Sequence, residues 1–324
     1  MPKDERFVVG AEDAGRRLDQ VLTGRPSVGS RGKARRALSS GKVAIDGAAA
    51  GPEDGGRACP EGMVVELAWN RPGTSHARNA GRQRLRTSGV VVVHEDAVLL
   101  ALDKPVGMLT DAATRAQRRD EDTLTARARG WVGRGDIWPV HRIDRDTSGV
   151  VLFAKGAEAR AHLKAQWEGV KPKRVYTAIL RGELREDRGT WAHPMRWNPK
   201  ARRQEPCKRS AEGAVVGTSH FEVTERLVGA TVVRVELDTG RRNQIRLSAC
   251  LAGHPLVGER QYTPDKVGVK GGADSRLPPL ARQALHASEL VVRHPSTQAS
   301  LTLGAPLAAD LDLWLRRLRA GGTR

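Results

Sequence analysis

The sequence predicts an α+β protein in two parts, with a small N-terminal domain over residues 1–70 and a larger domain over 90–324. In several segments apolar residues recur every third or fourth position, which is the periodicity of amphipathic helices. Other short segments alternate apolar with polar residues or are continuously apolar, as strands are. At 324 residues the chain also exceeds one typical domain.

The composition predicts a polyanionic partner. Lys and Arg total 55 against 37 Asp and Glu, a net charge of +18. Such an excess indicates partners rather than fold, and nucleic acid fits it. The three cysteines are far apart and form no Cys-x-x-Cys, which argues against both a disulfide framework and a zinc site. No apolar run approaches the ~20 residues of a membrane span.

Residues 7–69 predict two short helices. The first ends before Arg25-Pro26, and the second is capped by Ser30 and ended by Gly41. Their inner faces are predicted from apolar spacing to carry Leu18, Val21 and Leu22 in the first helix, and Ala34, Ala37 and Leu38 in the second.

A hairpin follows the second helix. Gly41-Lys42-Val43-Ala44-Ile45-Asp46-Gly47 reads as a strand and turn, and Met63–Trp69 as the returning strand. Two helices, the second one basic, followed by a hairpin resemble the small alpha-L RNA-binding domain of ribosomal proteins. The resemblance implies RNA contacts from Arg31, Lys33, Arg35, Arg36 and Lys42. A solvated, inert basic helix is the alternative.

Residues 71–89 predict a flexible cationic linker. They contain no acid and few apolar residues, so they cannot bury enough surface to fold alone. RNA phosphates could order the segment, and salt would weaken that contact. Its arginines are Arg71, Arg78, Arg82, Arg84 and Arg86.

The larger domain is predicted to combine strands and helices. Val90–Val93 and Val98–Leu102 form a hairpin, and a surface helix begins near Thr123. The recurrence of Ala159, Leu163 and Trp167 every four residues predicts a helix laid on a sheet. The remaining predicted elements are strands over 174–180, 221–226, 231–238 and 284–292, helices over 243–252 and 307–318, and loops over 185–213 and 263–283.

The chemistry is predicted to centre on residues 141–155, His-Arg-Ile-Asp-Arg-Asp-Thr-Ser-Gly-Val-Val-Leu-Phe-Ala-Lys, a polar loop leading into a buried strand. Arginines near Asp144 and Asp146 favour ionised carboxylates. That disfavours a glycosidase-type pair, which needs one protonated acid. His141, Asp144 and Ser148 lie too close in sequence for a hydrolase triad, and no Gly-x-Ser-x-Gly surrounds the serine. A solvated turn is the alternative without chemistry.

This run resembles the HRLDxxTSGLLLLAK signature of RluA-type pseudouridine synthases. Other family-like stretches are Asp103-Lys104-Pro105-Val106-Gly107, Arg174–Ala178, Thr239–Arg246, His254–Glu259 and Leu285-His286-Ala287, so the resemblance covers residues 90–305. It implies a pseudouridine-synthase fold with a mixed, largely antiparallel sheet. Two departures accompany it, because Asn243 and Ser248 each stand where the family usually has histidine.

The resemblance also implies the site. Asp144 is the expected nucleophile that attacks or deprotonates the sugar, Arg246 its ion-pair partner, and Tyr176 the ring that holds the target uracil. Further RNA contacts are expected from His141, Arg142, Arg241 and Arg242. The expected protein is a cytoplasmic monomer that flips uridines of structured RNA, ribosomal rather than transfer, without metal, cofactor or membrane. A non-catalytic RNA-binding protein that has kept the fold is the alternative.

Overall fold

The computed structural model describes residues 4–69, 85, 87–112, 114, 121–133, 136–269 and 277–321. The chain divides into two compact units, residues 1–88 with 126–135, and residues 89–125 with 136–324. The second segment of the first unit, 126–135, was not part of the predicted N-terminal domain. Most of the predicted linker over 71–89 lies outside the described residues.

The first unit is a four-stranded antiparallel sheet with two helices. Strand order is β1-β4-β2-β3. The predicted turn is confirmed, because Asp46 and Gly47 have positive φ, but it leads into β3, which was not predicted. The predicted returning strand Met63–Trp69 contains β4, which pairs with β2 antiparallel. The first strand was not predicted. The elements of this unit are β1 Glu5–Val8, α1 Leu18–Thr23, α2 Arg31–Ser39, β2 Val43–Ile45, β3 Ala48–Ala49, a 3-10 turn Pro52–Gly56 and β4 Val64–Leu67.

Local sequence signals account for the two helices. Ser30 caps α2, since its hydroxyl accepts the backbone N–H of Lys33 at 3.3 Å. Gly41 follows with φ of 64°, a left-handed conformation that ends helices readily. The predicted inner faces of both helices are buried in one core with the sheet. The residues of these two faces are Leu18, Val21, Leu22, Ala34, Ala37 and Leu38.

The second unit is built on a mixed, largely antiparallel sheet, as predicted. Among the described residues its order is β11-β10-β12-β13-β9-β14-β8-β6-β5, with β15 beside β14 and β7 beside β8. The pairing of β14 with β8 is parallel. The strands are β5 Val91–Glu95, β6 Leu99–Lys104, β7 Ile137–Pro139, β8 Ser148–Lys155, β9 Lys173–Arg181, β10 Arg188–Asn198, β11 Arg203–Pro206, β12 Val215–Leu227, β13 Ala230–Leu237, β14 Leu285–Arg293 and β15 Ser300–Gly304.

Helices cover this sheet where apolar spacing predicted them. Ala159 and Leu163 pack against Leu152 of β8, and Trp167 adds a partly buried ring. In the C-terminal helix, Trp314 is buried in another core cluster. The helices that follow α2 in the chain are α3 Leu124–Val132, α4 Ala157–Glu168, α5 Gln244–Leu251, α6 Pro264–Val267 and α7 Ala309–Gly321.

Several segments of the larger unit differ from prediction. Strand β7 was not predicted, and the predicted loop over 263–283 contains the short helix α6. Residues 185–213 were expected to be a loop but contain β10 and β11. In β10 only Trp191 and Met195 are buried, so the apolar signal of a strand is sparse. The short strand β15 was also not predicted, and there only Leu303 is buried. No helix in the described part of the chain is long and apolar enough to cross a membrane.

Candidate active site

The loop before β8 carries Asp144 and is held by buried polar side chains. Thr110 donates from its hydroxyl to the carbonyl of Ile143 at 3.0 Å and accepts the Ile143 N–H at 3.2 Å. Lys104 donates to the carbonyl of Arg145 at 2.8 Å. These bonds fix the backbone on both sides of Asp144.

Lys104 is fully buried and serves as a hub for three loop carbonyls. Its ammonium donates to Pro105 at 2.9 Å, Met108 at 2.8 Å and Arg145 at 2.8 Å. Burial lowers the pKa of Lys104 to about 7. Because three acceptors match the three N–H groups of an ammonium, the bonding pattern favours the charged form. Lys104 thus joins the Asp103–Gly107 motif to the Asp144 loop.

The loop that carries Asp144 is also supported by Arg282, which is 5% exposed. It donates to the carbonyl of Asp146 at 3.3 Å and the hydroxyl of Ser148 at 3.1 Å, and two further bonds of 2.8 Å reach the carboxylate of Asp310. Gly149 follows with φ of 115°, and a side chain there would collide with the backbone of Ala287. The end of the loop is therefore fixed by β14 and the start of α7.

Arg246 on α5 contacts Asp144, which lies more than a hundred residues earlier in the sequence. Its Nη1 lies 3.2 Å from Asp144 Oδ2. The same oxygen accepts a hydrogen bond from the side-chain amide of Asn243 at 2.6 Å. The side chain of Asp144 is 26% exposed and that of Arg246 is 10% exposed. The carboxylate is thus anchored on one side and accessible from another.

Glu259 holds the far side of the Arg246 guanidinium. Its carboxylate accepts two bonds of 2.7 Å from Nε and Nη2, a bidentate pair. Burial alone would lower the pKa of Arg246, but the hydrogen bonds and charge of Glu259, with Asp144, raise it above its ordinary value. Burial alone would raise the pKa of Glu259, but Arg246 and backbone N–H groups lower it. Both groups therefore remain ionised.

Tyr176 lies on β9 with its ring partly buried against an apolar cluster that includes Ile245 and Leu285. Burial raises the pKa of Tyr176 to about 12, and the charge of Asp144 adds to this while that of Arg174 opposes it. The phenol is therefore neutral at physiological pH. Of the three residues that the family resemblance singled out, Asp144 is hydrogen-bonded to Arg246 and acts electrostatically on Tyr176.

The predicted RNA contacts of this unit divide into two groups. Arg142, Arg241 and Arg242 are exposed, and the Arg242 guanidinium lies 4.6 Å from the centroid of the Trp197 ring. His141 instead stacks on Trp167 at 5.6 Å and accepts the N–H of Leu152 at 3.2 Å. Burial lowers the pKa of His141 to about 4, so the ring is neutral at physiological pH. The geometry favours a structural role for His141.

In the first unit the predicted contacts lie on and beside α2. Lys33, Arg35 and Arg36 are exposed and Lys42 is half-buried. Arg31 pairs with the buried carboxylate of Asp19 at 3.3 Å. A surface pocket is lined by cationic side chains of this face, Arg17, Arg35 and Arg36.

Sequence reasoning missed several partners of the site. Glu259 stands in the stretch His254–Glu259 that resembled the family, so the motif pointed to the segment but not to its role. Arg282 stands only three residues before the family-like Leu285-His286-Ala287. Ser248, noted as a departure, is fully buried, so it belongs to the core rather than to an RNA surface. Asn243, the other departure, contacts Asp144 directly.

Comparisons with known proteins identify the class of this fold as that of the pseudouridine synthases. Residues 98–251 match the RNA pseudouridylate synthase family model. The ribosomal large subunit pseudouridine synthase D of Pseudomonas aeruginosa is 31% identical over 95% of this chain and 93% of its own. The dual-specificity RNA pseudouridine synthase RluA of Pasteurella multocida is 34% identical over 67% of this chain and 93% of its own.

Solved structures support the fold. Human RNA pseudouridylate synthase domain containing 4 superposes with a TM-score of 0.59 at 18% identity, covering 75% of this chain and 97% of its own. Human RNA pseudouridylate synthase domain containing 1 superposes with a TM-score of 0.54 at 22% identity, covering 72% of this chain and 95% of its own. The chain belongs to the RluA-type family of pseudouridine synthases. It is an RNA pseudouridine synthase, an isomerase of uridine in RNA.

Proposed function

We propose that the protein converts specific uridines of ribosomal RNA to pseudouridine, with Asp144 as the carboxylate that acts on the sugar. The observation that supports this most strongly is the 3.2 Å ion pair between Asp144 and Arg246. Attack on the sugar and deprotonation of it both require an ionised carboxylate, and a guanidinium at this distance stabilises that form. The partial exposure of Asp144 leaves room for a substrate.

The reaction needs no second substrate, because pseudouridine has the atoms of uridine. The bond between N1 of uracil and C1′ of ribose breaks, the base turns, and C5 bonds to C1′. The hydrogen on C5 is lost and N1 gains one. The site has to hold the detached uracil through this turn, and the half-buried ring of Tyr176 offers a stacking surface for it.

Base flipping follows from access. The sugar carbon of a stacked, paired uridine cannot reach a carboxylate in a protein loop, so the nucleotide has to leave the helix. Stacking on Tyr176 would replace part of the lost base stacking, ~1–3 kcal/mol per base. The guanidiniums of Arg142, Arg241 and Arg242 are exposed, which supports the proposal that they hold the flanking phosphates.

The preference for ribosomal RNA rests on the N-terminal unit and on relatives. The Pseudomonas relative named for the large ribosomal subunit aligns with 95% of this chain, whereas the dual-specificity relative aligns with 67%. We propose that residues 1–70 form an RNA-binding domain whose contacts come from the basic face of α2 and from Lys42. The proposed site of action is the cytoplasm, with the protein as a monomer.

Asp144→Asn is the test, with Asp146→Asn as its matched control. The substitution keeps size and polarity but removes the charge, so the variant should fold, bind RNA and form no pseudouridine. Asp146→Asn makes the same change two residues away and should retain most activity. Turnover by Asp144→Asn, or an exchange of behaviour between the two variants, would show that the wrong carboxylate was chosen.

A further inference from the structure

One oxygen of the Asp144 carboxylate receives two donors. Oδ2 lies 2.6 Å from Asn243 Nδ2 and 3.2 Å from Arg246 Nη1. Within the described part of the chain Oδ1 accepts no hydrogen bond. The two oxygens of the carboxylate are therefore inequivalent before any substrate binds.

Hydrogen-bond chemistry fixes the orientation of the Asn243 amide. A carboxylate can only accept, so the NH₂ group must face Asp144 and the amide oxygen must face away. That oxygen accepts the hydroxyl of Tyr262 at 3.2 Å. The Tyr262 oxygen in turn accepts the backbone N–H of Gln204 at 3.1 Å. From β11 to the carboxylate, each donor thus points toward Asp144.

The backbone at Asn243 suits this role. Asn243 precedes α5 with φ of 54° and ψ of 20°, the left-handed region, which asparagine and histidine enter more readily than most residues. Tyr262 is 1% exposed, and burial raises its pKa to about 12, so its hydroxyl stays protonated as a donor. The conformation and the network together hold the amide in one place.

We propose that Asn243 is a positioning residue for Asp144, whose amide, held by Tyr262, secures Oδ2 together with Arg246 and leaves Oδ1 to act on the sugar. The proposal rests on the proposed role of Asp144. A histidine at this position would also offer an N–H donor. Asn243 is thus assigned to the carboxylate rather than to RNA.

Asn243→Gly separates this role from a merely structural one. Glycine adopts the left-handed backbone without cost, so the start of α5 should survive. The amide is lost, and hydrogen bonds to charged groups are among the stronger ones in proteins. We expect kcat to fall about ten- to hundredfold, with KM for RNA within about twofold of wild type. In Asn243→His, log kcat should recover more than half of the decrease seen in Asn243→Gly.

Asn243→Asp adds a second readout through pH. The new carboxylate takes the place of the amide 2.6 Å from Asp144 Oδ2. Two carboxylates that share a site retain a proton to higher pH than either would alone. Because Arg246 favours the ionised form of Asp144, the shared proton resides on the introduced carboxyl, which then donates to Oδ2 as the amide does. Loss of that proton removes the donor, so the kcat of this variant should fall as pH rises across a range in which wild-type and Asn243→Gly profiles are parallel.

A double-mutant cycle tests whether Tyr262 acts through Asn243. Tyr262→Phe removes the hydroxyl, and kcat should fall a few-fold. If the hydroxyl serves only to orient the amide, Tyr262→Phe in the Asn243→Gly background should cost nothing further. Additive losses would overturn the relay.

All variants are assayed in the full-length protein by pseudouridine formation over a series of RNA concentrations, which gives kcat and KM separately, with circular dichroism as the check of folding. Wild-type kcat in Asn243→Gly would overturn the proposal for Asn243 while leaving Asp144 in place. Full activity of Asp144→Asn in the same assay would instead overturn the proposed function. A loss confined to KM in Asn243→Gly would make Asn243 an RNA-binding residue and likewise contradict its positioning role.

Discussion

Glu259→Gln tests how Arg246 is held. The Glu259 side chain is 1% exposed, and it accepts two bonds of 2.7 Å from Arg246. Its Oε1 also accepts three backbone N–H groups at 2.8–3.2 Å, from Arg260, Gln261 and Tyr262. Glutamine can keep the bonds at Oε1, but its NH₂ then faces the Nε–H of Arg246. One hydrogen bond becomes a clash between two donors, and a buried cation loses its counter-charge.

The expected cost follows from this geometry. Removing one partner of a buried ion pair costs about 3–5 kcal/mol, and because part of the hydrogen bonding survives, we expect about 3 kcal/mol. For a unit of this size that corresponds to a fall in Tm of about 6–12 °C. The guanidinium also loses the support that aims it at Asp144, so kcat should fall at least about tenfold.

The contribution of Glu259 to stability depends on pH in a definite direction. The pKa of Glu259 is lowered below its ordinary 4.5, because Arg246 and backbone N–H groups outweigh burial. Its contribution to stability is therefore complete above pH 4.5 and is lost as pH falls through the lower folded-state pKa. The difference between wild type and Glu259→Gln should be constant at neutral pH and should shrink below 4.5.

Urea denaturation followed by tryptophan fluorescence, at neutral pH and below 4.5, measures the stability difference, and single-turnover assays measure kcat. Glu222→Gln, an exposed residue on β12, is the matched control and should behave as wild type. Wild-type stability and kcat in Glu259→Gln would refute the claim that this carboxylate supports Arg246.

Two further predictions concern charge. Arg246→Lys keeps the charge but loses the planar fork, so the rate should fall strongly while RNA affinity changes little, and weak binding with an intact rate would mean that Arg246 binds phosphate instead. In the full chain, replacing three of the exposed cations of α2 by glutamine should raise KM with kcat nearly unchanged, and should flatten the log–log salt dependence of RNA affinity by roughly 0.7–0.9 for each phosphate that is no longer neutralised. An unchanged salt slope would mean that this face does not touch phosphate, and the residues to replace are Lys33, Arg35 and Arg36.

The elements that sequence predicted are those determined by local signals. Ser30 could be recognised as a cap and Leu18, Val21 and Leu22 as one face, because both depend on neighbours within a turn of helix. Strand β10 was missed because only two of its 11 residues are buried, so the alternation of buried and exposed residues is weak. Order and register in the sheet depend on pairings across the whole chain and were not predicted, and the family resemblance implied only a mixed, largely antiparallel sheet.

The site was predictable only in part for the same reason. Asp144, Tyr176 and Arg246 were found by matching motifs, and no spacing rule connects residues so far apart in sequence. The partners Asn243 and Glu259 are determined by how α5 and the following turn fold back on the Asp144 loop. A residue that departs from a family pattern is visible in sequence, but whether it points to RNA, to the core or to the Asp144 carboxylate is decided by tertiary structure.

The most direct test of whether this protein isomerises uridine by means of Asp144 is carbodiimide mapping of pseudouridine in total RNA. Three cell lines are compared, one lacking the protein, one complemented with wild type and one with Asp144→Asn expressed at equal level. We expect a discrete set of ribosomal RNA sites to be lost in the first, restored by wild type and still missing with Asp144→Asn. Restoration of those sites by Asp144→Asn, or an unchanged map in cells lacking the protein, would contradict the assignment.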